Sequence, residues 1–303
     1  MRNNSLGDVI RSLRKKAGLS QEELADGICS PVSVSRIENG TQMPSGTVLE
    51  ALLARLGTST YQICDIYYKS EKQQEFEQEA EEVSRLISEG KLGDAKDCLA
   101  RLESGARTDS LNLQCYLLLY ASIKMYEGEN PEEILSILYD ALAQTKASFD
   151  FEDFRNVLLT VSEANILNVI VAVLFRLEDV TGAIRLGEEL MSSLKRHKSG
   201  LKEYTIIQIN LAFNLAQFLE KEHRYKEALV YIEMAEELSF SSFEQALLPE
   251  IEFIKAKMYH LLGNDSDCTA ILRAVVPYME LVRKTDFAGI VRSYAEKELG
   301  ILI

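Results

Sequence analysis

The sequence predicts an all-α chain, an N-terminal helix-turn-helix domain followed by a right-handed superhelix of helix pairs of the tetratricopeptide type. Three observations carry this reading. Proline and glycine number only 5 and 16 in 303 residues, too few to punctuate a turn-rich β architecture. Apolar residues recur three and four apart along most of the chain, the period of one helix face. Beyond position 90, short polar breaks divide long apolar stretches at a spacing of 39 to 49 residues.

The elements follow in order. Leu6, Ile10 and Leu13 place a first helix over Ser5 to Ala17, ended by Gly18, with Leu19 reaching back to the core. Ser20 and Glu23 form a capping box for a short second helix that turns Leu24 and Ala25 inward and runs to about Gly27. Ser30 caps and Pro31 opens a third helix that stops at Asn39-Gly40. Pro44 and Ser45 open a fourth, through Val48, Leu49, Leu52, Leu53 and Leu56. Two short helices joined by a tight turn and wrapped by flanking helices make the helix-turn-helix arrangement, whose second helix lies in the major groove. Val34 and Ile37 turn inward, so Val32, Ser33 and Arg36 face the groove. Arg36 suits a bidentate contact to guanine, Val32 a thymine methyl, and Ser33 or Ser35 a base edge or phosphate.

The runs Leu19-Ser20-Gln21-Glu22-Glu23-Leu24-Ala25 and Ser33-Val34-Ser35-Arg36-Ile37-Glu38-Asn39-Gly40, with Pro44-Ser45 after them, closely resemble the Cro/C1-type DNA-binding family over residues 5 to 57. The resemblance implies that Gln21 anchors a phosphate and that Arg14 and Glu38 form an internal ion pair. On that ground Arg14 is structural, and Lys15 and Lys16 form a solvated face. The net charge of −14 opposes nucleic-acid binding only when averaged over the chain. Residues 1–68 carry seven basic and seven acidic side chains, so all of the excess lies beyond them.

The expected domains are 1–68 for DNA binding, a linker helix over 69–80, and repeats over 81–303. Breaks at Gly90, Gly128, Glu178, His223 and Gly263 define five helix pairs, with Phe287 to Leu299 as a terminal cap. Measured at Ala95, Ile134, Ala183, Ala228 and Cys268 the spacings are 39, 49, 45 and 40 residues, longer than the 34 of a regular tetratricopeptide repeat. Arg224-Tyr225-Lys226-Glu227-Ala228-Leu229 carries the clearest repeat signature. Ile207, Asn210, Asn214, Gln217 and Lys221 share one face of a first helix, and Asn165, Asn168 and Ala172 share one face of the first helix before it. Asparagine is a poor helix former, so its repeated placement in mid-helix asks for a reason. An amide donates and accepts, and can hold a peptide backbone whatever its side chains; bonding between neighbouring repeats is the competing reading. Tyr116, Tyr120 and Lys124 make a similar stripe, with core packing expected for the tyrosines.

A Cro/C1-like domain ahead of degenerate repeats resembles the peptide-pheromone-responsive regulators of Gram-positive bacteria, the PlcR-like branch in particular. The likeness rests on Ile28-Cys29, Val34-Ser35-Arg36-Ile37-Glu38, Asn168 with Asn214, and Arg224-Tyr225. It implies a homodimer on a palindromic double-stranded operator, controlled in quorum sensing by a short signalling peptide whose backbone Asn168 and Asn214 hold. A constitutive helix-turn-helix repressor whose repeats bind a protein partner or only dimerise is the alternative. His197, His223 and His260 lack metal-ligand spacing, and no G-x-S-x-G, phosphate loop or dinucleotide fingerprint occurs. Neither an enzyme nor a cofactor is expected. Five cysteines, none in a C-x-x-C pair, fit a reducing compartment. The most apolar stretch, Val157 to Phe175, is broken by Ser162, Glu163, Asn165 and Asn168, so the expected location is cytoplasmic, without membrane contact.

Overall fold

The computed structural model describes residues 6–57, 71–196 and 201–303. They form fifteen helices, with no strand among the described residues. The chain divides into two compact units, Met1–Gln78 and Glu79–Ile303.

In the first unit the helices are α1 (Leu6–Lys16), α2 (Gln21–Ala25), α3 (Pro31–Glu38) and α4 (Gly46–Arg55). Their starts are fixed by local hydrogen bonds. Ser20 Oγ accepts from the Glu23 N–H at 3.1 Å while Glu23 Oε2 accepts from the Ser20 N–H at 2.6 Å, completing the expected capping box. Ser30 Oγ accepts from the Ser33 N–H at 3.1 Å ahead of Pro31, and Ser45 caps α4 through the Val48 N–H. Ile10, Leu24, Ala25, Val34, Ile37, Leu52 and Leu53 fill the core. Gly7 serves a purpose that its sequence context did not show. A Cβ there would lie 2.2 Å from the Ile37 carbonyl oxygen, so only glycine lets α1 approach the end of α3.

Helix α5 (Glu71–Ser88) straddles the boundary between the units. The helix expected over 69–80 therefore continues without a break to Ser88; positions 69 and 70 lie outside the described residues. In the second unit α6 (Leu92–Ala106) is tied to α5 at Glu79, which accepts from Cys98 Sγ and Arg101 Nε, while α7 (Ser110–Glu127) pairs with α8 (Pro131–Ala143) and α9 (Val161–Arg176) with α10 (Val180–Arg196). Helices α11 (Lys202–Lys221) and α12 (Tyr225–Ser242), then α13 (Leu248–Leu261) and α14 (Asp265–Leu281), complete five pairs, and α15 (Thr285–Leu299) packs on α14. Each expected break turns on one residue in the left-handed region: Gly90, Gly128, Glu178, His223 and Gly263, with φ from +58° to +81°. Ala95, Ile134, Ala183, Ala228 and Cys268 are all fully buried, each near the start of a second helix.

The longest spacing has a structural cause. Residues 144–160 lie between α8 and α9 and are held by Phe149, Phe151 and the fully buried Phe154, with Tyr139 of α8 edge-on to Phe151 at 5.2 Å. Gln114 Nε2 donates to the Ala141 carbonyl at 3.0 Å and to Thr145 Oγ1 at 2.8 Å, and Thr145 Oγ1 donates to the buried Glu163 at 2.7 Å. These bonds satisfy polar groups that burial would otherwise penalise. First helices pack directly on one another, α7 on α9, α9 on α11 and α11 on α13. In a curved stack the closer-spaced layer is the concave one, so the first helices line the groove.

Candidate DNA-binding face and repeat groove

Glu38, at the end of α3, is buried and organises the first unit. Its Oε1 accepts from Arg14 Nε at 2.6 Å, and its Oε2 from Arg14 Nη2 at 3.0 Å, Gln21 Nε2 at 2.8 Å and Arg11 Nε at 3.4 Å. Burial alone would raise the Glu38 pKa. Hydrogen bonds from Arg14 and Gln21, the Arg14 charge and the bond from Arg11 outweigh it and hold the carboxyl below its usual range. The same hydrogen bond raises the Arg14 pKa against the effect of burial. Arg14 also donates to the Leu19 carbonyl at 2.7 Å, so the expected Arg14–Glu38 pair ties α1, the turn and α3 together. Gln21 is drawn into this network. Its amide nitrogen donates to Glu38.

On α3, Val34 and Ile37 are buried, whereas Val32 is 59% exposed and Arg36 is exposed. At about 100° per residue these two outward positions, four apart, fall on one face. Arg36 makes no salt bridge among the described residues, which leaves its guanidinium open to solvent. Ser33 and Ser35 are half-buried at the flanks, and the Ser33 hydroxyl lies 2.9 Å from that of Ser30. Exposed Asn39, which sequence reasoning passed over as a helix stop, is held by a hydrogen bond from Arg11.

In the second unit Asn165 and Asn168 on α9, and Asn210, Asn214 and Gln217 on α11, are all half-buried. The two helices pack on each other. Asn168 Oδ1 is shut off from solvent and has no hydrogen-bond partner among the described residues. Gln217 Nε2 reaches only the Phe213 carbonyl of its own helix, at 3.5 Å. An unsatisfied buried amide oxygen is costly, and an incoming N–H donor removes that cost.

Ile207, on the same face of α11 as the amides, is 2% exposed and packs in the core. One expectation is corrected. Tyr116 and Tyr120 do not fill the core. Half-buried, with ring centroids 6.3 Å apart, they line a groove of about 310 Å³ between α6 and α7, with Lys124 over the Tyr120 ring. Along the first helices a cavity of about 320 Å³ opens beside Ile87, Leu118, Met125, Asn165 and Val169. Another, of about 410 Å³, opens beside Phe175, Gln217, Lys221 and Leu261. Among the described residues no three His, Cys, Asp or Glu side chains cluster as a metal site, and no helix is long and apolar enough to cross a membrane.

Residues 10–63 match the Helix-turn-helix family. The N-terminal unit is a helix-turn-helix domain. No match to the chain was found among curated proteins, whereas its fold recurs in solved structures. Bacillus thuringiensis PlcR in complex with the peptide PapR7 and DNA is 18% identical, with a TM-score of 0.72 over 95% of this chain and 98% of that one. The SHP pheromone receptor Rgg2 of Streptococcus dysgalactiae is 18% identical, with a TM-score of 0.56 over 97% of this chain and 100% of that one. PrgX in complex with cCF10 is 20% identical, with a TM-score of 0.55 over 97% and 92%. The chain thus shares the fold of these three proteins along nearly its whole length.

Proposed function

We propose that the chain is a cytoplasmic, sequence-specific DNA-binding transcriptional regulator, dimeric on a palindromic operator and controlled by a short signalling peptide. Helix α3 enters the major groove, where Arg36 and Val32 read bases, Ser33 and Ser35 bond a base edge or phosphate, and Gln21 anchors the backbone. The peptide lies along the first helices, its backbone held by Asn165, Asn168, Asn210, Asn214 and Gln217. The observation that carries the peptide reading is the buried, unpartnered Asn168 Oδ1, in a half-buried set of amides on adjacent helices. Structures of the same fold support it, since PlcR is described with both PapR7 and DNA and Rgg2 as a pheromone receptor.

Footprinting of the purified protein on its own promoter region, with and without peptides extracted from culture medium, tests the proposal. Peptide-dependent change in the protection of an inverted repeat is the expected result, and it is lost in a double Asn168→Ala, Asn214→Ala variant that still binds DNA. Protection indifferent to every peptide fraction would leave a constitutive repressor.

A further inference from the structure

We infer that the ligand of the repeat groove is an anionic peptide, one of whose carboxylates is received by Lys221 at the end of the amide face of α11. The inference rests on the proposed peptide reading and adds the chemistry of the ligand. Lys221 lies one turn beyond Gln217 and lines the same cavity of about 410 Å³, which α9, α11 and α13 enclose through Phe175, Gln217, Lys221 and Leu261. Lys221 is exposed, and its ammonium sits 5.0 Å from the centroid of the Phe175 ring, which is itself stacked on Phe218 at 4.1 Å, so an aromatic surface lies beneath the charge.

The charge is also unanswered. The chain has 47 acidic side chains against 33 basic ones, and three other lysines of this region are paired: Lys255 with Glu236, Lys257 with Glu220 and Lys284 with Glu250, each at 2.6 Å. Lys221 makes no salt bridge among the described residues, and Glu220, the acidic residue lining its cavity, is already engaged by Lys257. The dipole of α11 accounts for a cation in its last turn. It does not account for leaving that cation unpaired and set on a ring at the edge of an open groove that continues the amide face. A carboxylate there gains a charge-assisted hydrogen bond.

The carboxylate has two sources, the peptide's C-terminus or an Asp or Glu side chain, and one experiment separates them. The full-length protein is screened by fluorescence polarisation against an array of seven-residue peptides. Each sequence is made as free acid and as C-terminal amide, and with Asp or Glu replaced by Asn or Gln. The expected tight binders carry a carboxylate, and Lys221→Gln weakens them about fivefold to tenfold while their neutral counterparts are unaffected. Lys221→Arg retains the affinity. The replacement that reproduces the loss on the wild-type protein identifies the source. Tight binders with the same affinity for wild type and Lys221→Gln would overturn the inference and leave the peptide reading standing. A wild-type protein that binds no peptide of the array would overturn both.

Discussion

Arg36 carries the sharpest residue-scale prediction, because its exposure and the lack of a salt bridge to it among the described residues separate DNA affinity from folding. Arg36→Ala is expected to lower specific operator affinity by about 1–3 kcal/mol with an unchanged circular dichroism spectrum and melting curve; an unaltered operator titration would remove Arg36 from the reading face. Glu38 behaves in the opposite way, since it is buried and ties α1, α2 and α3 together through Arg11, Arg14 and Gln21. Its folded pKa is depressed below the ordinary 4.5, so the folded state binds fewer protons than the unfolded chain does. The stability it contributes is therefore present above about pH 4.5 and lost as pH falls through the lower folded value. Glu38→Gln is expected to cost about 3 kcal/mol at neutral pH and to flatten the acid limb. Hydrogen exchange of the α1 and α3 amides at pH 7 and pH 4 measures both, and equal acid sensitivity in the variant would show that other carboxylates govern it.

At the scale of elements, the helix ends are set by bonds that span three or four residues, and this is why so many were legible. Ser20 with Glu23, Ser30 with Pro31, and Ser45 each declare a start in the sequence and make the expected bond in the structure. The breaks between repeat helices follow the same logic with two instructive exceptions. Gly90, Gly128 and Gly263 supply the left-handed residue at no steric cost, whereas Glu178 and His223 hold φ of +61° and +58° with a side chain present. Exposed Glu178 is therefore a site where glycine stabilises, and Glu178→Gly is expected to raise stability by about 0.5–1 kcal/mol. Denaturant titration of the two proteins checks it, and a lower midpoint for the variant would refute the account. What the sequence hid depends on contacts between elements. Gly7 looks like any glycine near a helix start until the Ile37 carbonyl is seen against it. Tyr116 and Tyr120 have the spacing of core residues, and only the position of α6 leaves them lining a groove. The asparagines stood out because their residue type is out of place in mid-helix, and Lys221 stood with them on one face of α11; Phe175 did not, because an apolar helix ordinarily holds a phenylalanine.

For the whole molecule, two compact units make the proposed regulation a matter of coupling free energy between the groove and the α3 face. A peptide alters operator affinity only by binding the DNA-competent and DNA-incompetent populations unequally. Linkage then fixes a second quantity. If the peptide changes operator affinity by some factor, the operator must change peptide affinity by the same factor, whichever the sign. The expected outcome is that a labelled peptide titrated into the protein with and without saturating operator shows this reciprocal shift, commonly about 5–150-fold. In Asn168→Ala the shift should shrink further than peptide affinity alone requires if the buried Oδ1, unpartnered without ligand, gains its hydrogen bond preferentially in one population. Should Asn168→Ala weaken the peptide equally with and without operator, that bond is common to both states, and the differential contact that drives regulation lies elsewhere along the first helices.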